Sequence, residues 1–290
     1  MAKKPEGGMK AKRITVDVII YIFLAIMCVI WLLPFFWVIM QSFRDGIGQF
    51  ISTFLPEKYT LNNYIALFTD FNTINFPWMF LNTFFVATCS CIISTFFVLG
   101  VSFCLSRVKW KMRRPYMNTA MVITLFPGFM SMVAVYFILK ALGMTEGDKI
   151  YLSLIICYSS GAGVGFHVMK GYMDTIPKSL DEAAMIDGCT RWQVFTKITL
   201  PLCKPMIVYQ IITSFMGPWM DFVFAKVIAG TKAQYWTVSI GLFNMLEKEY
   251  VEVWFVRFCA GAVLISIPIS ILYLMTQKMY QEAMSGAVKG

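Results

Sequence analysis

The chain has 290 residues, of which 58% are hydrophobic and 14% are charged, and its formal net charge at pH 7 is +9. Soluble globular domains carry about 25% charged residues, so this composition excludes a protein that lies mainly in water. The sequence contains neither an HExxH nor a GxSxG motif, and its single histidine, His167, does not make a metal site on its own. We therefore predict no metal site and no catalytic residue in this chain.

Long runs without charge predict membrane-spanning helices. Residues 18–41 and 71–106 contain no Asp, Glu, Lys, Arg or His, and a helix needs about 20 apolar residues to cross the hydrocarbon core of a bilayer. The second run is longer than one crossing needs, so we expect the part before Trp78 to lie outside the membrane. Over the whole chain, the pattern predicts spans at 18–40, 79–104, 117–139, 150–169, 206–229 and 258–277. The predicted fold class is an all-α integral membrane protein, a six-span helical bundle.

The basic residues predict the orientation, because cytoplasmic loops carry an excess of Lys and Arg. A cytoplasmic N-terminus places most of the 25 Lys and Arg residues on the cytoplasmic side, and the reverse topology places them outside. We therefore expect both termini in the cytoplasm. The predicted parts are an N-terminal segment (1–17), a six-span domain (18–277, with its core at 78–277) and a C-terminal tail (278–290).

The cytoplasmic segment after the fourth span, residues 177–201, predicts two short helices. In a capping box, a Ser or Thr and an acidic or amide residue three positions later satisfy free backbone N–H groups at a helix start. Ser179 with Glu182 fits this pattern, and so does Thr190 with Gln193. We therefore predict one helix start at each pair.

The ends and faces of these helices are also indicated. Gly188 stands where the first helix needs a left-handed residue, and Pro201 is expected to end the second helix. Trp192, Phe195 and Ile198 recur every three residues and form one apolar stripe. The stripe either packs on the chain's own spans or binds a partner, and the pattern alone leaves both alternatives open.

The fixed positions of this segment form one longer motif. It reads Glu-Ala-Ala from residue 182, three residues, Gly188, nine residues, and Ile-x-Leu-Pro ending at Pro201. This motif resembles the EAA loop of binding-protein-dependent ABC importer permeases. In that family the loop is a coupling helix that docks in a cleft of a cytoplasmic ATPase. The resemblance implies that the coupling residues are Glu182, Ala183, Ala184, Asp187, Gly188, Trp192, Phe195, Leu200 and Pro201.

The C-terminal third resembles the sugar-permease branch of the same family, the maltose and maltodextrin type. The similar segments are residues 235–243, 260–268 and the tail 286–290. Residues 217–222 are similar to that branch's Trp-Asn-Asp/Glu-Phe element, with Met220 in place of the Asn, so any function of that amide is absent here.

The resemblance implies a permease subunit of the bacterial cell membrane that moves a sugar or a short, maltodextrin-like oligosaccharide inward by alternating access. The implied partners are a second permease subunit, a cytoplasmic ABC ATPase dimer, an extracellular or periplasmic sugar-binding protein and membrane lipid, with no nucleic acid. The chain itself is expected to bind no cofactor, since ATP and Mg belong to the ATPase. The alternatives are an importer permease for a non-sugar solute and an ion-coupled secondary transporter, which needs more intramembrane acids than this chain has.

Two further pairs of residues are candidates for contact with solute or partner. Asp221 lies in the predicted fifth span, where a charge is costly and usually faces a bundle interior or a watery cavity. It is expected either to line the transport path with Trp219, or to pair with Lys226, or to lie near the outer headgroups. Trp219 is alternatively an interface anchor. Tyr235 and Trp236 are expected to face the binding protein.

Overall fold

The structure is a computed structural model that describes residues 6–46, 53–71, 74–125, 128–161, 165–247 and 251–287. Within these ranges the regular secondary structure is helical, and the one β contact is an isolated bridge between Arg44 and Tyr59. The α-helices are α1 (Glu6–Ser42), α2 (Asn62–Thr69), α3 (Phe76–Arg107), α4 (Arg113–Thr124), α5 (Gly128–Ala141), α6 (Lys149–Ser160), α7 (His167–Thr175), α8 (Lys178–Ile186), α9 (Arg191–Val194), α10 (Leu200–Leu202), α11 (Lys204–Met220), α12 (Val223–Ala229), α13 (Val238–Asn244) and α14 (Val251–Ala287).

Three of these helices contain stretches that are long and apolar enough to cross a membrane: Val16–Ser42, Phe76–Arg107 and Val253–Gln277. Each includes one predicted span. A fourth candidate is the pair Arg191–Leu202 and Lys204–Met220, which is bent by 80°. The predicted all-α membrane fold class is confirmed.

The third, fourth and fifth predicted spans are each divided between two helices. The third falls on α4 and α5, and the fourth on α6 and α7. The fifth is interrupted after Met220, because Asp221 has extended backbone dihedrals between α11 and α12. Hydropathy measures only how apolar a segment is, so it does not detect such breaks.

The chain forms two compact units, of which the first comprises Met1–Thr69 and Met245–Val263. In this unit, the C-terminal end of α1 is held by polar contacts from α2. The side-chain amide of Asn63 donates to the backbone carbonyls of Ser42 and Arg44 at 3.0 and 2.8 Å. The last carbonyls of a helix have no partner within the helix, so these bonds stabilise the end of α1.

The second unit comprises Asp70–Asn244 and Leu264–Gly290, and α3 is its central helix. α3 packs against α6, α7, α11 and α13. It contributes one fully buried residue to each of three apolar clusters: Val86, Val98 and Leu105. Its C-terminal end reaches the segment 177–201.

Candidate functional site: a two-helix loop and a polar groove

The two-helix loop, residues 177–201, turns at Gly188. This glycine has a φ of +85°. The N–H of Cys189 donates to the carbonyl of Ala184 at 2.9 Å, and the N–H of Gly188 donates to that of Met185 at 3.2 Å. These two bonds make a Schellman motif, which satisfies the last carbonyls of α8 and requires a left-handed residue. The predicted turn at Gly188 is confirmed.

Of the two predicted capping boxes, one is present. The N–H of Gln193 donates to Oγ1 of Thr190 at 3.3 Å, and the N–H of Thr190 donates to Oε1 of Gln193 at 2.7 Å. The box predicted for Ser179 and Glu182 is wrong. α8 begins at Lys178, directly after Pro177 and two residues earlier than this box requires, so Ser179 lies inside the first turn and caps nothing.

The second helix of the loop continues through Pro201, so the prediction that this proline ends it is wrong. After α9, residues Phe195–Thr199 form a π-helix, and the N–H of Leu200 donates to the carbonyl of Phe195. A proline has no N–H to donate, and the wider π-turn accommodates its ring without ending the helix. The helix ends at Leu202 instead.

The apolar stripe of the second helix is divided between two environments. The ring of Phe195 packs on Phe103 of α3, with centroids 4.7 Å apart, and Ile198 is half-buried. Trp192 is 65% exposed. The structure therefore bears out packing on the chain's own spans for Phe195, and Trp192 remains exposed.

The loop exposes several apolar and acidic side chains around its turn. Ile186, the last residue of α8, is 86% exposed although its side chain is apolar. Met185 and Ile186 were not predicted as site residues. The signal that could have identified them is that two large apolar residues stand just before the turn at Gly188. We define the exposed face by Glu182, Ala183, Met185, Ile186, Asp187 and Trp192.

Asp221 lies at the break between α11 and α12, and both of its carboxylate oxygens accept hydrogen bonds. Tyr158 Oη donates to Oδ2 at 2.7 Å, and the N–H of Phe224 donates to Oδ1 at 3.1 Å. The predicted pairing with Lys226 is wrong. The ammonium of Lys226 instead lies 4.1 Å from the ring centroid of Trp236 and 3.3 Å from Oδ1 of Asn244.

A groove of about 600 Å³ lies beside Asp221. Its wall is formed by α5, α6, α11 and α12, and it combines apolar surface with hydroxyl groups and one carboxylate. Trp219 does not line this groove. Its side chain is 2% exposed and packs on Phe80 and Phe215. The polar lining residues are Ser131, Tyr158, Ser160 and Asp221.

The connection between α12 and α13 is fixed to α3. The side-chain amide of Asn82 donates to the carbonyls of Gln234 and Trp236 at 2.9 and 3.1 Å. Tyr235 is buried in an apolar cluster, with its hydroxyl donating to Asp148 at 3.1 Å. Of the two aromatic residues predicted to face a partner, only Trp236 keeps part of its surface exposed.

Comparison with known proteins extends over nearly the whole chain. Residues 9–285 match the family described as binding-protein-dependent transport system inner membrane component. The galactooligosaccharides transport system permease protein GanQ of Bacillus subtilis is 31% identical over 98% of this chain and 99% of its own length. The maltodextrin transport system permease protein MalD of Streptococcus pneumoniae is 30% identical over 98% of this chain and 100% of its own.

Two solved structures have a similar fold. One is a chain of a bacterial ABC transporter involved in the import of the acidic polysaccharide alginate, with a TM-score of 0.75 and 20% identity over 96% of this chain and 99% of that chain. The other is a chain of a bacterial alginate ABC transporter in complex with an alginate pentasaccharide-bound periplasmic protein, with a TM-score of 0.64 and 18% identity over 93% and 96%.

Proposed function

Because the chain belongs to the family of binding-protein-dependent transport system inner membrane components, we propose that it is the permease subunit of an ATP-driven importer for a sugar or short oligosaccharide. The observation that carries this proposal is the two-helix loop, in which the EAA motif stands at an exposed turn. The inner side of the loop packs on α3 through Phe195, and the exposed face is free for a partner.

The exposed face has the character of a protein-docking surface. Ile186, Met185 and Trp192 are 86%, 46% and 65% exposed, and single aromatic residues of this kind often carry much of the binding energy at interfaces. The carboxylates of Glu182 and Asp187 flank them, which makes burial in lipid costly. The partner proposed here is a cytoplasmic ABC ATPase dimer, which uses ATP and Mg, whereas this chain supplies no catalytic residue and binds no cofactor.

Coupling then has a mechanical basis. Closure of the ATPase dimer moves the docked loop, and the loop is attached to α3, the central helix of its unit. A rigid helix of 32 residues carries a displacement at its cytoplasmic end to the other end of the bundle. Alternating access follows if the permease pair has an inward-open and an outward-open arrangement.

The polar groove at Asp221 is our candidate for this chain's part of the transport path. Neutral sugars are rich in hydroxyl groups, so a lining of Ser, Tyr and carboxylate oxygens offers suitable hydrogen-bond partners. The groove contains apolar surface as well, against which the C–H faces of a sugar ring can pack. Trp219 is excluded as a sugar contact in this conformation by its burial.

The remaining partners are assigned by location. Much of α1 exposes apolar side chains, such as Trp31 at 73% and Phe35 at 66%, and these are suited to lipid. A second permease subunit completes the path, and a sugar-loaded binding protein docks outside, near Trp236 and the exposed residues 231–234. We place the protein in the bacterial cell membrane with both termini in the cytoplasm.

Reconstitution tests the proposed function. The chain is coexpressed with its neighbouring permease, ATPase and binding-protein genes, purified and inserted into liposomes. We expect the ATPase to copurify and labelled maltodextrin or galactooligosaccharide to enter only when ATP and binding protein are both present. Uptake that requires an ion gradient and no ATP contradicts the proposal, as does a complex that never retains an ATPase.

A further inference from the structure

The two-helix loop is tied to α3 by a buried ion pair that the EAA motif does not include. Oδ2 of Asp181, in the first turn of α8, lies 2.9 Å from Nε of Arg107, the last residue of α3. The two side chains are 9% and 6% exposed. Arg and Asp side chains are almost never buried to this extent unless they are paired.

The same guanidinium group also holds the chain on its way into α8. Nη2 of Arg107 donates to the backbone carbonyl of Ile176 at 2.9 Å. Ile176 precedes Pro177, which immediately precedes α8. One guanidinium group therefore contacts both the chain entering the helix, through a hydrogen bond to Ile176, and a residue in the first turn, through a charge contact with Asp181 in which Nε does not have hydrogen-bond geometry.

The surroundings make Asp181 hard to replace. A cleft of about 370 Å³ next to the pair is lined by both Asp181 and Glu182 and by several further cations. If the Asp181 carboxylate is removed, the buried guanidinium group of Arg107 loses its negative partner and is surrounded by other positive charges. The other basic residues of the cleft are Lys109, Arg113, Lys178 and Arg191.

Stability alone is a poor reason for such a pair. Removing two charges from water is costly, and well-packed apolar residues of similar size often give equal or higher stability. What an apolar contact lacks is direction, which the hydrogen bond from Nη2 of Arg107 to the carbonyl of Ile176 supplies, while the contact with Asp181 supplies opposite charge. Such a link is useful where the displacement of one helix, here α8, must be transmitted to another, here α3.

We infer that Arg107 and Asp181 are positioning residues, which hold the coupling helix in a fixed orientation on α3 so that movement of the docked ATPase reaches the spans. This inference rests on the proposed function. It predicts that the pair is needed for coupling more than for folding or for binding of the ATPase.

The main test is the double variant Arg107→Met/Asp181→Leu in the reconstituted importer. We expect normal ATPase copurification and thermal unfolding near that of the wild type, because the pair is replaced by apolar side chains. The number of sugar molecules imported per ATP hydrolysed is expected to fall by about fivefold. A wild-type ratio in this variant overturns the inference.

Arg107→Lys is the second variant, and it decides the question if the double variant fails to assemble. Lysine keeps the charge beside Asp181 but lacks the planar fork that also binds the carbonyl of Ile176. We expect normal assembly and a ratio reduced by about twofold or more. If Arg107→Lys assembles and its ratio equals that of the wild type, the inference is overturned.

The matched control is Lys170→Met, which removes the other ion pair of this region. Lys170 Nζ lies 2.5 Å from Oδ2 of Asp174, one turn further along the same helix, α7, and neither residue belongs to the two-helix loop; Asp174 keeps its hydrogen bond from Ser106 in this variant. We expect a wild-type ratio, and an equal loss in this control contradicts a specific function of Arg107 and Asp181. If the wild-type chain itself retains no ATPase, the proposed function fails, which is a different result from failure of the inference.

Discussion

The hydroxyl group of Tyr158 on α6 donates a 2.7 Å hydrogen bond to the carboxylate of Asp221, at the break between α11 and α12. An ionised Asp at the centre of a spanning helix costs about 2.5–3.5 kcal/mol. The bond from Tyr158, together with that from the N–H of Phe224, lowers this cost. The break in the fifth predicted span thus places the Asp221 carboxylate beside the groove, where protein hydrogen bonds replace those from water.

Asp221→Asn is expected to reduce sugar uptake several-fold at normal expression. Asn is nearly isosteric, keeps an oxygen for the N–H of Phe224 and presents its NH2 group to the hydroxyl of Tyr158, which can accept as well as donate, so the substitution tests charge rather than shape. The binding protein is a separate chain, and its sugar affinity should not change. Uptake in liposomes and sugar binding to the isolated binding protein are the two measurements.

Glu146→Gln serves as the control for Asp221→Asn. Glu146 is an exposed acid in the connection between α5 and α6, and it lies outside the groove. We expect wild-type uptake from this variant. Full uptake from Asp221→Asn at normal expression removes Asp221 from the transport path.

Tyr158→Phe separates the hydrogen bond from the charge. Loss of the hydroxyl leaves Oδ2 of Asp221 without its donor, and a hydrogen bond to a charged group contributes about 1.5–3 kcal/mol. We expect a lower midpoint of thermal unfolding in detergent. The double variant Tyr158→Phe/Asp221→Asn should lose less than the sum of the two single variants, because the two residues share one interaction. Additive losses contradict the pairing.

Gly188→Ala is expected to destabilise the two-helix loop by about 1–2 kcal/mol, the cost of a left-handed conformation for a residue with a Cβ. No atom lies within 4 Å of the position of that Cβ, so the effect is conformational and not steric. We expect weaker copurification of the ATPase and lower uptake. A variant that assembles and transports normally contradicts the requirement for this turn.

Gly171→Ala is the matched control for Gly188→Ala. Gly171 lies in α7, its φ is not positive, and its Cβ position is equally open. Alanine in a helix is favoured over glycine by about 1 kcal/mol. We therefore expect unchanged or slightly higher stability and normal uptake.

Local features were predictable from the sequence, because local rules govern them. The turn at Gly188 and the box of Thr190 with Gln193 each involve residues within one helical turn. The assignment as a membrane protein followed from the composition of long segments, and tertiary contacts do not change composition. Ser179 shows the limit of such rules, since its pattern fits a cap but the helix starts two residues earlier, after Pro177.

The residue pairs that organise the candidate site were not predictable. Asp181 with Arg107 and Asp221 with Tyr158 join helices that are distant in the sequence, and their spacing follows no motif. Aromatic residues misled for a related reason. Tyr235 lies in the connection between the fifth and sixth predicted spans, which was expected to face a partner, yet it is buried by packing between elements.

Trp192→Ala and Phe195→Ala should have opposite consequences, although both residues belong to one apolar stripe. Trp192 is 65% exposed, so its loss should change the free energy of unfolding by less than about 0.5 kcal/mol. If it is an anchor for the ATPase, its loss should weaken that binding by about tenfold or more. Retention of the ATPase in copurification and a titration of its binding measure this effect.

Phe195→Ala removes a ring that packs on Phe103 at 4.7 Å. We expect the unfolding free energy to fall by about 2 kcal/mol, less than for a fully buried Phe. Thermal unfolding of the purified complex measures this loss. If Trp192→Ala destabilises the fold and Phe195→Ala does not, the assignment of an inner and an outer part to the stripe is wrong.

The orientation is tested by cysteine labelling of residues on either side of the third predicted span, in a variant whose eight native cysteines are replaced. Met112 precedes α4, in a connection rich in Lys and Arg, and Glu146 follows α5. Both are exposed, so their labelling reports sidedness and not burial. Gly147 and Gly188 are unsuitable positions, because their φ values of +57° and +85° strain any residue with a Cβ.

In intact cells, an impermeant maleimide is expected to label Glu146→Cys and to leave Met112→Cys unlabelled until the cells are permeabilised. The reason is the excess of basic residues around Met112, which favours the cytoplasmic side. The reverse pattern contradicts the orientation of the whole chain. Labelling of both positions, or of neither, means that α4 and α5 enter and leave on the same side. The third predicted span is then a re-entrant pair, and the six-span count is wrong.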